Sequence, residues 1–152
     1  MRRWMRWSGL VTAWVVPMIS AMAQGGTDVW VVPVNAIGRQ LSIGRPENLT
    51  RRPGYDNQPG FSSDGRVVFF TSIREDAQAD IWRVPVTGGA LERVTQTSES
   101  EYSATATPDG LHFSVIRVEA DSTQRLWRFP LRMDAAPTLV LHALRPVGYH
   151  LW

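Results

Sequence analysis

The 152-residue chain reads as an all-β protein assembled from repeated four-stranded antiparallel units. Three observations carry this. One strand signature recurs in three copies, a turn signature recurs in phase with it, and no stretch after residue 23 shows helical periodicity.

The strand signature occupies Asp28–Val34, Asp80–Val86 and Arg125–Leu131, which align without gaps as aliphatic, Trp, any residue, apolar, Pro, aliphatic. Its β-branched and aromatic content makes each copy a strand. Pro33, Pro85 and Pro130 lack the N–H a ladder needs, so each is expected near a strand end. The turn signature is Ser62-Ser-Asp64-Gly65 before the apolar run Arg66–Phe70, and Thr107-Pro-Asp109-Gly110 before Leu111–Val115. Asp-Gly closes hairpins because Gly tolerates positive φ while the Asp carboxylate binds nearby backbone N–H groups. Asp64 and Asp109 are 45 residues apart, as are Trp82 and Trp127. Each unit therefore reads as a first strand ending at the Asp-Gly turn, an apolar second strand, and the Trp/Pro third strand. A fourth follows, Ala90–Thr95 in one copy and Pro137–Leu141 in the next, with Pro46–Thr50 as the earlier counterpart.

Four-stranded units of about 40–45 residues set side by side are the blades of a β-propeller. The run Ser-x-Asp-Gly before an apolar strand, then Asp80-Ile-Trp-Arg-Val84, Gly88-Gly89 and Leu91-Glu-Arg-Val-Thr95, resembles the WD-repeat-like blades of TolB-like propellers. The resemblance covers about residues 27–141, and residues 57–95 carry it best. The second copy departs from it at Ala106, where an aromatic residue precedes the turn in the first. On this reading residues 28–50 form a half blade, 57–95 and 102–141 two blades, and 146–152 the start of another. Such a tally is an incomplete ring, since closed rings hold four to eight blades. The arc is expected to be a piece of a larger propeller; association between copies through open blade edges is the alternative.

Residues 1–23 differ from the rest. Arg2, Arg3 and Arg6 precede the mostly apolar run Trp7–Met22, and Ala21-Met22-Ala23 supplies small residues for a peptidase. This is the layout of a cleavable signal peptide, too short and too interrupted by Ser, Thr, Gly and Pro for a spanning helix. Export to the periplasm or beyond is expected, with no membrane span in residues 24–152. Cleavage removes three arginines and no acid, turning the formal charge from +2 to −1. That leaves no electrostatic case for nucleic acid. The absence of cysteine excludes disulfides, thiolate metal sites and a cysteine nucleophile.

No catalytic, cofactor or metal set emerges. Gly60-Phe-Ser62-Ser-Asp64-Gly65 has the wrong spacing for a nucleophile elbow. Asp64 and Asp109 read as turn residues rather than calcium ligands. His112, His142 and His150 lack metal-ligand spacing, and His112 is expected on the polar face of its strand. Glu99, Glu101 and Glu119 are not paired at any spacing that acid–base chemistry requires. Trp30, Trp82 and Trp127, at one blade position, are expected to pack between blades. Asn48-Leu-Thr50 is a formal glycosylation sequon. The loop residues Arg74, Glu75 and Asp76, with Glu119, Asp121 and Gln124 in the matching loop, read as solvated rim positions and the best places for contact with a partner. Similarity to TolB-like proteins implies a non-catalytic module that recognises a protein or peptide at the cell envelope. The alternative is the propeller portion of a prolyl-oligopeptidase-like hydrolase whose catalytic domain lies outside these residues.

Overall fold

The computed structural model describes residues 26–152; the signal-peptide segment 1–23 lies outside the described residues. Twelve strands and no helix make up the described residues. The first four are β1 (Trp30–Val31), β2 (Val34–Ile37), β3 (Gln40–Ile43) and β4 (Glu47–Asn48). A four-stranded sheet follows, β5 (Tyr55–Phe61), β6 (Val67–Ile73), β7 (Asp80–Pro85) and β8 (Glu92–Arg93), hydrogen-bonded in chain order. A second has the same order: β9 (Ser100–Ala106), β10 (His112–Val118), β11 (Gln124–Pro130) and β12 (Thr138–Leu139). Every ladder is antiparallel. The described residues are all-β, their four-stranded sheets are propeller blades, and they form an arc rather than a closed ring.

The turn chemistry explains the registers. Asp64 Oδ1 accepts from the Ser62 hydroxyl at 2.6 Å and from Arg66 N–H at 3.1 Å, while Gly65 takes φ 68°. Asp109 Oδ1 likewise accepts from the Thr107 hydroxyl at 2.6 Å and Leu111 N–H at 2.8 Å, with Gly110 at φ 67°. Pro85 and Pro130 are the last residues of β7 and β11, where a missing N–H costs no ladder bond.

Alternation along the central strands builds two cores. Val68, Phe70, Trp82 and Val84 face Val29 and Leu49 beside β1 and β4. Phe69 and Ile81 point the other way, toward Ala104, Phe113, Val115 and Phe129 of the second sheet. Phe69, Phe113 and Phe129 stack in a row with centroids 5.5 and 5.4 Å apart. Strands buried on both faces explain why β6 and β10 are apolar at their central positions except Thr71, Ser72, Ser114 and Arg117.

One backbone link joins successive units. Asp56 N–H donates to Thr27 O at 3.1 Å, Glu101 N–H to Ala79 O at 2.8 Å, and Val147 N–H to Gln124 O at 3.0 Å. Residues 146–152 thus lie where a next first strand would start, although they make no strand ladder; Val147 is buried against Ile116 and Leu126. Ahead of the first sheet, β1 pairs with β4 alone, and the connection between them carries the β2–β3 hairpin. Val34, Ile37, Leu41 and Ile43 on that hairpin are all exposed. Sequence reasoning had no hairpin there, because Gly38-Arg39 is not one of the strong turn pairs.

Candidate functional site

Each sheet holds an acid, an arginine and a tryptophan in one layer. In the first, Asp56 on β5 is fully buried and accepts from the Ser72 hydroxyl, from Arg52 Nη2 at 3.3 Å and from Arg74 Nη2 at 3.2 Å. The Arg74 guanidinium also lies 4.5 Å from the Trp82 ring centroid. In the second, Glu101 on β9 is paired across the ladder with Arg117, whose Nε lies 3.1 Å from Oε1. Arg117 sits 4.6 Å over Trp127 and 5.0 Å over Phe129, and its Nη1 reaches Glu99 at 3.3 Å. Burial pushes the Glu101 carboxyl up, against the opposing pull of the Thr97 hydroxyl and the Arg117 guanidinium. Glu101 is thus held in a buried ion pair with Arg117, an arrangement that sequence reasoning did not anticipate. Part of the signal is in the sequence: Asp56 and Glu101 are 45 residues apart, and an Ile-Arg pair spans the end of β6 (Ile73-Arg74) and lies one residue before the end of β10 (Ile116-Arg117).

These layers draw two of the six rim residues, Arg74 and Glu119, partly out of solvent. Arg74 is drawn onto Trp82. Glu75 and Asp76 remain exposed but lie 3.0 and 3.7 Å from Arg93, which also binds the buried Asp80 at 2.7 Å. Glu119 accepts the Trp127 indole N–H at 2.9 Å and pairs with Arg125 at 3.6 Å. Asp121 is exposed and accepts Thr123 N–H at 2.9 Å in its own turn, and Gln124 is exposed at the start of β11. Polar loop composition does not reveal that long guanidinium stems fold back over aromatic rings. Trp82 and Trp127 pack between units as expected. Trp30 does not: it is 57% exposed, because no sheet lies against its face among the described residues.

The histidines are separate. His112 Nδ1 lies 2.8 Å from Asp109 Oδ2 at the hairpin. The His142 carbonyl accepts from Arg125. His150 Nε2 contacts the Ser114 hydroxyl, which also accepts the Trp152 indole N–H at 2.8 Å. This Ser–His contact lacks the parts of a nucleophile. Ser114 is fully buried in the middle of β10, and His150 Nδ1 is buried without a partner, so no carboxylate orients the ring. Burial pushes the His150 pKa down, which keeps the ring neutral near pH 7. No group of three potential metal-ligating side chains occurs among the described residues.

A groove opens where the sheets converge. It spans about 450 Å³ between Gln58–Phe61 of β5, Ser103–Ala106 of β9 and Tyr149–Leu151. The two strands approach so closely that a Cβ on Gly60 would lie 2.5 Å from the Ala104 carbonyl oxygen. Both bend at a bulge with a non-glycine residue at positive φ, Gln58 at 52° and Ser103 at 56°. Gln58 Oε1 bridges the strands, accepting Ser103 N–H at 3.0 Å. Each left-handed residue costs on the order of 1–2 kcal/mol, and strain repeated at one place on the inner strands marks a shaped surface. Phe61, Tyr149 and Leu151 stand 57%, 81% and 89% exposed at its margin. Ala106, small where the first copy has Phe61, leaves the groove open.

Antiparallel four-stranded sheets, joined edge to edge by one recurring link and packed through both faces, define the class: propeller blades. No family profile matches the chain. It is 33% identical over 81 residues to an uncharacterized protein of Agrobacterium fabrum, a match covering 53% of this chain and 27% of that protein. Its structure resembles a protein assigned as TolB from Agrobacterium tumefaciens, with a TM-score of 0.57 and 22% identity over 72% of this chain and 44% of that one. It also resembles TolB from Acinetobacter baumannii, with a TM-score of 0.54 and 18% identity over 76% of this chain and 33% of that one. At these identities the likeness is one of fold, that of the TolB-like propeller. The chain spans less than half the length of each. No helix among the described residues is long and apolar enough to cross a membrane.

Proposed function

We propose that the chain is an exported, non-catalytic propeller module that binds a protein or extended peptide at the cell envelope. The carrying observation is the groove between β5 and β9, where exposed Phe61, Tyr149 and Leu151 flank a floor of strand backbone. Aromatic and aliphatic anchors beside backbone donors and acceptors suit an extended peptide better than a small polar substrate. The TolB assignment of the structural neighbours agrees with recognition of a protein partner in the periplasm. Among the described residues β1 has β4 as its one partner strand, which agrees with an arc that is part of a larger propeller. The formal charge of −1 over residues 24–152 disfavours nucleic acid.

The test pans a displayed library of extended peptides against the purified chain and its Phe61→Asp variant. Recovered peptides are expected to be apolar at alternate positions and to bind Phe61→Asp at least about 10-fold more weakly, the loss of one anchor. Equal affinity for both chains would remove the groove from the account. In the producing bacterium, mass spectrometry should find the exported product beginning at Gln24; a chain retaining Met1 outside the cytoplasm would count against the signal peptide.

A further inference from the structure

The walls of the β5–β9 groove are neighbouring sheets that pack directly on each other, so both are set within the described residues. Gln58 and Ser103 stand 45 residues apart, at the same place in successive units, and both line it. Gln58 is half-buried at its bulge, with φ 52° and its backbone N–H held by Asn57 Oδ1 at 2.7 Å. Its side chain reaches the next sheet. There Oε1 accepts Ser103 N–H at 3.0 Å, and it also accepts the buried Thr71 hydroxyl at 3.2 Å.

This bridge fixes which way the carboxamide faces. A backbone N–H can only donate, so the atom beside Ser103 N–H is the carbonyl oxygen and Nε2 lies on its other side. Nε2 makes no hydrogen bond among the described residues and is not sealed from solvent, so its two N–H donors open into the groove. The Ser103 hydroxyl is in the same condition: it lines the groove, makes no hydrogen bond among the described residues, and its oxygen accepts. A donor and an acceptor therefore stand side by side on adjoining strands. No Asp, Glu, Lys or Arg lines the groove among the described residues, and burial keeps the His150 ring neutral.

We propose that Gln58 and Ser103 select what the groove binds: Gln58 Nε2 donates to, and the Ser103 hydroxyl accepts from, the side-chain carboxamide of an Asn or Gln in an extended peptide. This selectivity rests on the peptide reading given above and adds to it the side-chain chemistry of the ligand. A lysine or arginine at that place offers only donors to the Nε2 donors. A carboxylate would leave water with no cation in the groove to compensate it. An aliphatic side chain would leave both groups without a partner. A primary carboxamide, with its C=O and NH2 together, satisfies both.

The probe is a displayed library of extended peptides, apolar at alternate positions, with Asn, Gln, Leu, Glu and Lys equally represented at the others. It is panned on the wild-type chain, on Gln58→Glu and on Phe61→Asp. The wild type is expected to enrich Asn or Gln over Leu and Lys at one position by about 3- to 10-fold, the worth of one or two neutral hydrogen bonds. Gln58→Glu keeps the oxygen that bridges to Ser103 N–H but replaces the two donors by a charged acceptor, so the enrichment should pass to Lys. A Gln58 that served only as the bridge would leave the enrichment unchanged. Ser103→Ala keeps the backbone bridge, should lower the Asn or Gln enrichment, and decides the matter if Gln58→Glu fails to fold. Absence of Asn or Gln enrichment on the wild type, or the same enrichment on Gln58→Glu or Ser103→Ala, overturns the proposal. Where Phe61→Asp still weakens capture, that failure removes the selectivity alone; where Phe61→Asp captures the same peptides equally, the groove reading falls and the selectivity with it.

Discussion

Replacing Arg117 by leucine should be far more damaging than replacing Arg74 by leucine, although both arginines cover a repeat tryptophan. The reason lies in what each leaves behind. Glu101 is fully buried, and without Arg117 its carboxylate keeps no cationic partner, only the neutral hydroxyls of Thr97 and Thr95. Breaking one side of a buried ion pair costs about 3–5 kcal/mol, chiefly through the uncompensated charge. Asp56 would still have Arg52 at 3.2 Å and the Ser72 hydroxyl after Arg74 is gone. That loss removes stacking on Trp82, the Nη2–H bond shared by the two Asp56 oxygens and the Nε–H bond to the Ser72 hydroxyl, about 1–3 kcal/mol with Arg52 still neutralising Asp56. Leucine keeps part of the aliphatic stem, so packing changes little in either variant. Urea titration followed by circular dichroism reads the difference as a shift in midpoint at constant slope. A gap of about 2 kcal/mol is expected, with the double variant Glu101→Leu/Arg117→Leu recovering most of the single loss. Equal shifts for the two arginines, or no recovery in the double variant, would refute the reasoning.

Two further outcomes follow from the same geometry. Gly60→Ala puts a methyl group against the rigid Ala104 carbonyl, so it should cost about 1–3 kcal/mol and weaken peptide capture in the groove; a neutral urea midpoint would contradict the close approach. His150 has its pKa lowered by burial, so the docked form of residues 146–152 holds fewer protons than the undocked form. Docking is then complete above the ordinary histidine pKa of about 6.5 and is lost as pH falls toward the lower docked value. Protection factors at Val147–Trp152, corrected for the base-catalysed intrinsic exchange rate, should fall at pH 5.5 relative to 7.5, and His150→Gln should flatten that dependence.

The blades were legible because they are local. Asp64-Gly65 and Asp109-Gly110 set their hairpins through bonds to residues two positions away, and the Trp/Pro strands repeat at a spacing that only stacked units explain. The propeller class therefore followed from sequence alone. The β2–β3 hairpin was not legible, since Gly38-Arg39 is a weak turn signal and its four exposed apolar residues imitate a core strand. The loop 74–76 looked free because composition reports polarity and not reach; Arg74 spans the distance to Trp82 only once β5, β6 and β7 stand side by side.

By itself, then, the sequence determined the fold class, the repeat and the absence of cysteine chemistry, because periodicity and turn propensity act over a few residues. Only the tertiary structure decided which charges are buried, which tryptophan is uncovered and where the groove lies. Those depend on residues such as Glu101 and Arg117, or Gly60 and Ala104, which are distant in the chain and meet only when two sheets pack.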